Sequence, residues 1–193
     1  MQTRKGQEIE DESMQIIESE IGSHPYNEME WPIVRRIIHS TADFDFAREN
    51  KLLFHKDAIS NGINALKNGQ SIVADVNGVI GLMNKQNPKD FGNSMICNIS
   101  DPSLMESAKK AGKTRAQMSM RVAEKEIDGG IVVVGNAPTA LLEVMEMFRE
   151  GLVKPALVVG MPVGFVSAVE SKDELSKTEI PFITNIGRKG GSP

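Results

Sequence analysis

The sequence predicts an α/β domain, and two segments late in the chain carry most of that prediction. IVVVGNAPTALLEVMEMF from Ile131 and ALVVGMPVGFVSAVESK from Ala156 each set a β-branched apolar run before a glycine- and proline-punctuated turn and an amphipathic stretch. Such runs suit strands buried on both faces, and a glycine directly afterwards lets the chain turn sharply into a helix. Two units in tandem imply a parallel sheet. With three further strand candidates separated by stretches of crossover length, the pattern is that of a three-layer αβα, doubly wound, mainly parallel five-stranded, Rossmann-like fold. A chain of 193 residues, 40% hydrophobic, suits one well-buried core, so residues 1–193 are expected to form a single domain. Residues 1–8 and 190–193 are expected to be mobile ends.

After a polar lead, Ile9, Ser13, Ile16, Ile17 and Ile21 fall at helical spacing, Gly22 closes the segment, and His24-Pro25-Tyr26-Asn27 reads as a turn. Pro32 suits the first turn of a second helix, with Ile33, Val34, Ile37 and Ile38 on its apolar face. Arg35, Arg36 and His39 share another face of that helix. Phe44 and Phe46 lie in a short segment before a third helix over 56–67, which stops at Asn68-Gly69. Residues 71–75 read as the first strand, 76–83 as a short helix and 95–99 as the second strand. Pro102 opens a helical stretch that breaks near Gly112, and Thr114 is placed to cap the next helix, which runs toward Lys125. The two tandem units follow, and 181–184 supplies the last strand.

The formal charge of −4 argues against a general nucleic-acid binder, so an anionic ligand must be met by local cations or donors. The one cysteine, Cys97, excludes an internal disulfide framework and fits a reducing compartment. The N-terminal stretch has no apolar signal-peptide core and no segment approaches a membrane span, which makes a cytoplasmic location the expectation.

In open α/β sheets ligands bind beyond the carboxyl ends of the strands. Gly135, Asn136, Ala137 and Thr139 on one turn, and Gly160, Pro162, Val163, Gly164 and Phe165 on the other, are therefore candidate walls of one site. Their backbone N–H groups at helix starts suit a carboxylate or phosphate, although each turn alone is also an ordinary tight turn. His39 is suited to proton exchange near neutral pH, and Arg35 and Arg36 beside it would attract a carboxylate-bearing ligand. Asp43 would hold the imidazole if the helix continued another turn. Equally, His39 would serve the helix dipole at a C-terminus while the arginines stood in solvent. Arg115 is a ligand candidate or a solvated surface residue, and Asp75 is placed to cap the following helix or to touch ligand.

Two motifs fail. Ala111-Gly112-Lys113-Thr114 resembles the end of a phosphate-binding loop, but Ser107 stands where the first glycine belongs and a helical run precedes it. Neither strand-end turn has G-x-G-x-x-G spacing, so no dinucleotide is expected. His24, His39 and His55 lack metal-ligand spacing, and no protein-bound metal is expected.

VRRIIHSTADFDF from Val34, GNAPTALLEVMEM from Gly135, GMPVGFVSAVESK from Gly160 and the terminal GRKGGS resemble the precorrin-8X methylmutase family, cobalt-precorrin-8 members included, of vitamin B12 (cobalamin) biosynthesis. The likeness runs from about Ser13 onward. It implies a homodimeric isomerase that moves a methyl group from C-11 to C-12 on ring C of precorrin-8X or cobalt-precorrin-8, giving hydrogenobyrinate or cobyrinate by a 1,5-sigmatropic shift. It also implies no cofactor, cobalt being carried by the substrate when present. The family's functional histidine maps onto His39, and its substrate contacts onto Ser13, Arg115 and, less closely, Asn84. A polycarboxylate tetrapyrrole would account for Arg35, Arg36 and Arg115, and hand-over to other corrin-pathway enzymes would follow; no nucleic-acid or membrane partner is implied. The alternative is a non-catalytic corrinoid-binding carrier, which has no need of a placed proton donor.

Overall fold

The computed structural model describes residues 3–49 and 51–193. It forms two compact units, one of residues up to Leu52 together with Pro193 and one of Leu53–Ser192, so that all of the sheet but the first residue of its first strand lies in the second.

The first unit is helical. Thr3 caps α1 (Arg4–Ile21) by accepting the Gly6 N–H at 3.2 Å, so the polar lead is helical from Arg4 onward. Of the end segment 1–8, Met1 and Gln2 lie outside the described residues. α1 closes at Gly22, whose φ of 64° suits glycine. α2 (Trp31–Thr41) has Pro32 in its first turn and buries Trp31, Val34 and Ile38. It joins α1 through the Trp31 indole, which donates to Glu18 at 2.9 Å. The helix stops at Ala42, in the left-handed region at φ 53°, and so does not carry on to Asp43 as one reading of the His39 segment required. Asp43 instead caps a short 3₁₀ turn, Phe44–Ala47, its Oδ1 accepting the Asp45 N–H at 3.0 Å.

The second unit holds the sheet. β1 (Leu52–Phe54) leads into α3 (Ala58–Lys67) and β2 (Ile72–Ala74). α4 (Asn77–Leu82) and α5 (Gln86–Asp90) precede β3 (Met95–Ile96). α6 (Ser103–Ala111), α7 (Arg115–Arg121) and α8 (Glu124–Ile127) lead to β4 (Ile131–Val134). Then come α9 (Pro138–Arg149), β5 (Leu157–Gly160), α10 (Ala168–Leu175) and β6 (Phe182–Asn185). The α/β class with a mainly parallel sheet is as predicted, but the sheet has six strands, in the order β1-β6-β5-β4-β2-β3, where the sequence suggested five. The unforeseen strand is β1: Leu-Leu-Phe has no β-branched residue and is too short to show an alternation. The pairings β2–β3, β2–β4, β4–β5 and β5–β6 are all parallel.

From β2 the chain steps to β3 at one edge, then recrosses β2 to β4 and continues through β5 to β6 in the opposite direction. The strand order therefore reverses between β2 and β4, and the carboxyl ends at that point are Asp75 and Gly135. Val132, Val134 and Val158 are completely buried, in one apolar cluster with Met120 of α7, Leu141, Val144 and Met145 of α9, and Leu175 of α10. Val133 and Val159, which alternate with them along the strands, are half-buried.

α9 also buries a charge. Glu143 is 1% exposed, and its carboxylate accepts from Lys113 at 2.8 and 2.9 Å, from Gln117 at 2.8 Å and from the Arg121 Nε–H. Lys113 is thus engaged by a carboxylate of α9, and the phosphate-loop-like segment is a joint between helices. Burial pushes the Glu143 carboxyl up, but the bonds from Lys113, Arg121 and Gln117 outweigh it and hold the group below the usual carboxylate range. A carboxyl depressed in the folded state stabilises above its unfolded pKa, and that contribution is lost as pH falls through the folded value. Glu143→Gln is expected to cost about 1–2 kcal/mol at neutral pH by urea unfolding, with the gap from wild type closing below about pH 4.

Candidate functional site

The turn between β4 and α9 is fastened by an internal anion. Asp75, fully buried just past β2, accepts the N–H groups of Gly135 at 3.0 Å, Asn136 at 2.8 Å and Ala137 at 2.7 Å. The sequence offers these donors to a ligand, and offers Asp75 either as a cap for the helix after it or as a ligand contact. Here Asp75 serves the helix after β4 instead, and its carboxylate already fills the donor cradle that an open-sheet ligand would use. Of this turn, the Asn136 side chain is exposed and Thr139 half-buried. Thr139 accepts from the Thr114 hydroxyl at 3.1 Å. Because Thr114 is the N-cap of α7, in a capping box with Gln117, that bond brings Arg115 to the same edge of the sheet. Arg115 is exposed and has no ion pair among the described residues.

The second turn is partly buried and partly presented. Gly160 and Pro162 are buried, and the Gly160 carbonyl accepts the Thr184 hydroxyl at 2.5 Å. Val163 is 44% exposed, and Phe165 and Val166, at 86% and 83%, stand out from the surface. The Phe165 ring carries the Arg188 guanidinium 5.6 Å from its centroid.

Arg188 belongs to the terminal GRKGGS segment, which lies along the strand ends as a strap. Gly164 donates to the Arg188 carbonyl at 3.2 Å and Gly191 to the Met161 carbonyl at 3.0 Å. A Cβ on Gly135 would lie 2.8 Å from the Gly191 oxygen, so the strap and the first turn approach as closely as glycine allows. Where the sequence suggested a loose end from residue 190, Gly190 and Gly191 are fitted against Met161 and Gly135. Lys172 secures the strap from below: it is 1% exposed, and its ammonium donates to the Lys189 carbonyl at 2.7 Å and to Asn185 Oδ1 at 3.2 Å. Burial pushes this lysine down to about 8. The sequence reading did not single out Lys172, Asn185 or Arg188. A signal was present for the first, since Ala168, Ser171, Lys172 and Leu175 are the buried face of α10 and a lysine on such a stripe needs a reason.

In the helical unit, His39 and Ser13 line one hollow of about 260 Å³ with Ile16, Ile17, Ile38, Phe44, Glu20 and Ala42. The Ser13 hydroxyl donates to the Ile9 carbonyl at 2.8 Å, which leaves its oxygen lone pairs as the free capacity of that side chain. His39 sits in the last turn of α2. Arg35 and Arg36 differ from the expectation of free cations: Arg35 pairs with Glu18 at 2.6 Å and Arg36 with Glu10. Acids one helix away neutralise both. Asn84 caps α5, its Oδ1 accepting the Gln86 and Asn87 N–H groups at 2.9 and 3.3 Å. Among the described residues, no three His, Cys, Asp or Glu side chains gather as a metal site would need, and no helix is long and apolar enough to cross a membrane.

The family model described as CbiC, precorrin-8X methylmutase, matches residues 8–193. A cobalt-precorrin-8 methylmutase of Priestia megaterium is 53% identical over 190 residues, which span 98% of this chain and 84% of that protein. Its counterpart from Leptospira interrogans serogroup Icterohaemorrhagiae serovar Lai is 46% identical over 198 residues, or 98% of this chain and 89% of that one. Among solved structures, the precorrin-8x methyl mutase of Thermus thermophilus aligns with a TM-score of 0.89 at 40% identity, covering 97% of this chain and 89% of that chain.

Proposed function

The chain belongs to the precorrin-8X methylmutase family, whose members are isomerases, and from that premise we propose that it catalyses the methylmutase step of cobalamin biosynthesis on precorrin-8X or cobalt-precorrin-8. In the proposed reaction the bond from the methyl group to C-11 breaks as the bond to C-12 forms, and the double bonds of ring C shift to match. No electrons or atoms are gained or lost, so neither a nucleophile nor a redox partner is required. The protein's task is to select the reactive tautomer and to hold it.

The observation that carries this assignment is the apolar hollow in which His39 and Ser13 stand together. Protonated His39 donates toward the ring C nitrogen region and recovers the proton when product forms. The Ser13 oxygen, its own proton engaged by Ile9, is the neighbouring acceptor. At about 260 Å³ the hollow receives an edge of the macrocycle and not the whole of it. Carboxylate recognition is assigned to Arg115; Arg35 and Arg36 serve the helical unit through Glu18 and Glu10. We further propose that the enzyme works as a homodimer, needs no cofactor of its own, and takes cobalt only as part of the substrate.

The test is to mix purified protein with precorrin-8X and with cobalt-precorrin-8 and to follow the visible spectrum. Conversion of either to the more extended chromophore supports the assignment. Binding of both without spectral conversion would instead indicate a carrier. Because exposed arginines are screened by salt, raising the salt concentration from 0.05 to about 0.5 M is expected to weaken binding several-fold without abolishing it.

A further inference from the structure

Of the eight arginines in the chain, Arg4, Arg35, Arg36, Arg121 and Arg149 are ion-paired with glutamates, and Arg48 donates to the Glu20 carbonyl. Arg115 and Arg188 are the two, among the described residues, whose guanidiniums meet neither a carboxylate nor a carbonyl. Both stand at the carboxyl edge of the sheet: Arg115 by the Thr114–Thr139 bond, and Arg188 by the bond from Gly164. An exposed arginine without an acid is common and alone says little. What sets Arg188 apart is how firmly its backbone is fixed.

Residues 188, 189 and 191 are each tied to a different partner, respectively Gly164, Lys172 and Met161. The middle tie is shared: the Asn185 amide donates to the Lys189 carbonyl at 3.0 Å, and so does a buried ammonium whose two hydrogen-bond acceptors, that carbonyl and Asn185 Oδ1, are both neutral. Burying a cation on neutral acceptors is costly compared with an apolar side chain of similar shape. As a fastening for a mere chain end it would be a poor choice. Beside it, Phe165 leaves a large aromatic ring 86% exposed directly under the Arg188 guanidinium. An exposed aromatic ring beneath a cation whose backbone is fixed offers both apolar contact and charge to a conjugated ring that carries carboxylate arms.

We propose that Arg188 is a further substrate-binding residue, which pairs with a peripheral carboxylate of the tetrapyrrole above the Phe165 ring, and that Lys172 is the positioning residue that holds the strap carrying it. The substrate class rests on the proposed function. Since the Asp75 carboxylate has taken the backbone donors of the first turn, Arg188 and Arg115 supply the cationic recognition at this edge.

The experiment is an absorbance titration of the 193-residue chain with precorrin-8X and with cobalt-precorrin-8, alongside steady-state kinetics. Four variants are compared with wild type: Arg188→Gln, Lys172→Met, the two combined, and Lys110→Gln as a charge-matched surface control. Arg188→Gln is expected to weaken binding and raise KM about 10-fold with kcat unchanged, while Lys110→Gln stays within about twofold. Lys172→Met is expected to weaken binding several-fold in the wild-type background and less than about twofold in the Arg188→Gln background, because it acts through Arg188. Wild-type affinity in Arg188→Gln overturns the binding role, and this arm stands even if Lys172→Met fails to fold. Equal losses from Lys172→Met in both backgrounds overturn the positioning role. Failure of wild type itself to bind either substrate would count against the proposed function, and would remove this inference with it.

Discussion

His39→Ala is expected to slow methyl migration by about 10²–10⁴-fold while leaving substrate affinity within a few-fold of wild type, the span typical of one lost acid–base group. The split follows from geometry. His39 is one of eight residues around its hollow, and most of the others are apolar, so the contact area survives the truncation while the only titratable nitrogen there is lost. Single-turnover rates are the proper measure. In the proposed mechanism product would share the extended conjugation of the transition state and is expected to bind tightly, so that its release would mask a chemical defect in steady-state turnover. His39→Gln separates two roles, because glutamine keeps an N–H donor but cannot transfer a proton. Activity near wild type in His39→Gln and little in His39→Ala would assign hydrogen bonding alone. Near-normal single turnover in His39→Ala would remove the proton donor from the mechanism.

The largest loss of stability is expected at Asp75. Asp75→Ala leaves three N–H groups at the start of α9 without their acceptor, in a region where Asp75 and Gly135 are both buried. At about 1–3 kcal/mol for each orphaned donor, and with water reaching the exposed Asn136 end, the net cost is about 3–5 kcal/mol. Asp75→Asn keeps one acceptor oxygen and sets an amide against the remaining N–H groups, so it is expected to lose about half as much. Urea midpoints at constant slope measure both. A loss below about 1 kcal/mol in Asp75→Ala would show that the turn is held by its packing and that the carboxylate is incidental.

Local pattern and tertiary contact divided the problem between them. The strands at Ile131–Val134 and Leu157–Gly160 announce themselves, because valine and isoleucine runs ending in glycine have few other uses. β1 did not, since three residues of Leu-Leu-Phe carry no period. Ser13 and His39 were singled out from different helices, and the fold brings them to one hollow. The arginines went the other way: a helical wheel places Arg35 and Arg36 on a face but cannot see Glu18 and Glu10, 17 and 26 residues away. The same limit hid the true work of Asp75, whose partners lie 60 to 62 residues downstream. The strap was legible as a family segment, GRKGGS, but its placement was not, because a glycine-rich composition serves a loose end and a tight backbone contact equally well.

The span of those Asp75 bonds bears on the order in which the chain assembles. β2 is made early, but the donors that satisfy its terminal carboxylate belong to a turn that exists only once residue 137 has been synthesised. Until then an ionised side chain destined for the interior has nothing to bond to except water, and closing so long a loop is entropically slow. A nascent chain ending before Gly135 is therefore expected to keep the β2 end open and hydrated. Release of two or three further residues would then let the central strands lock.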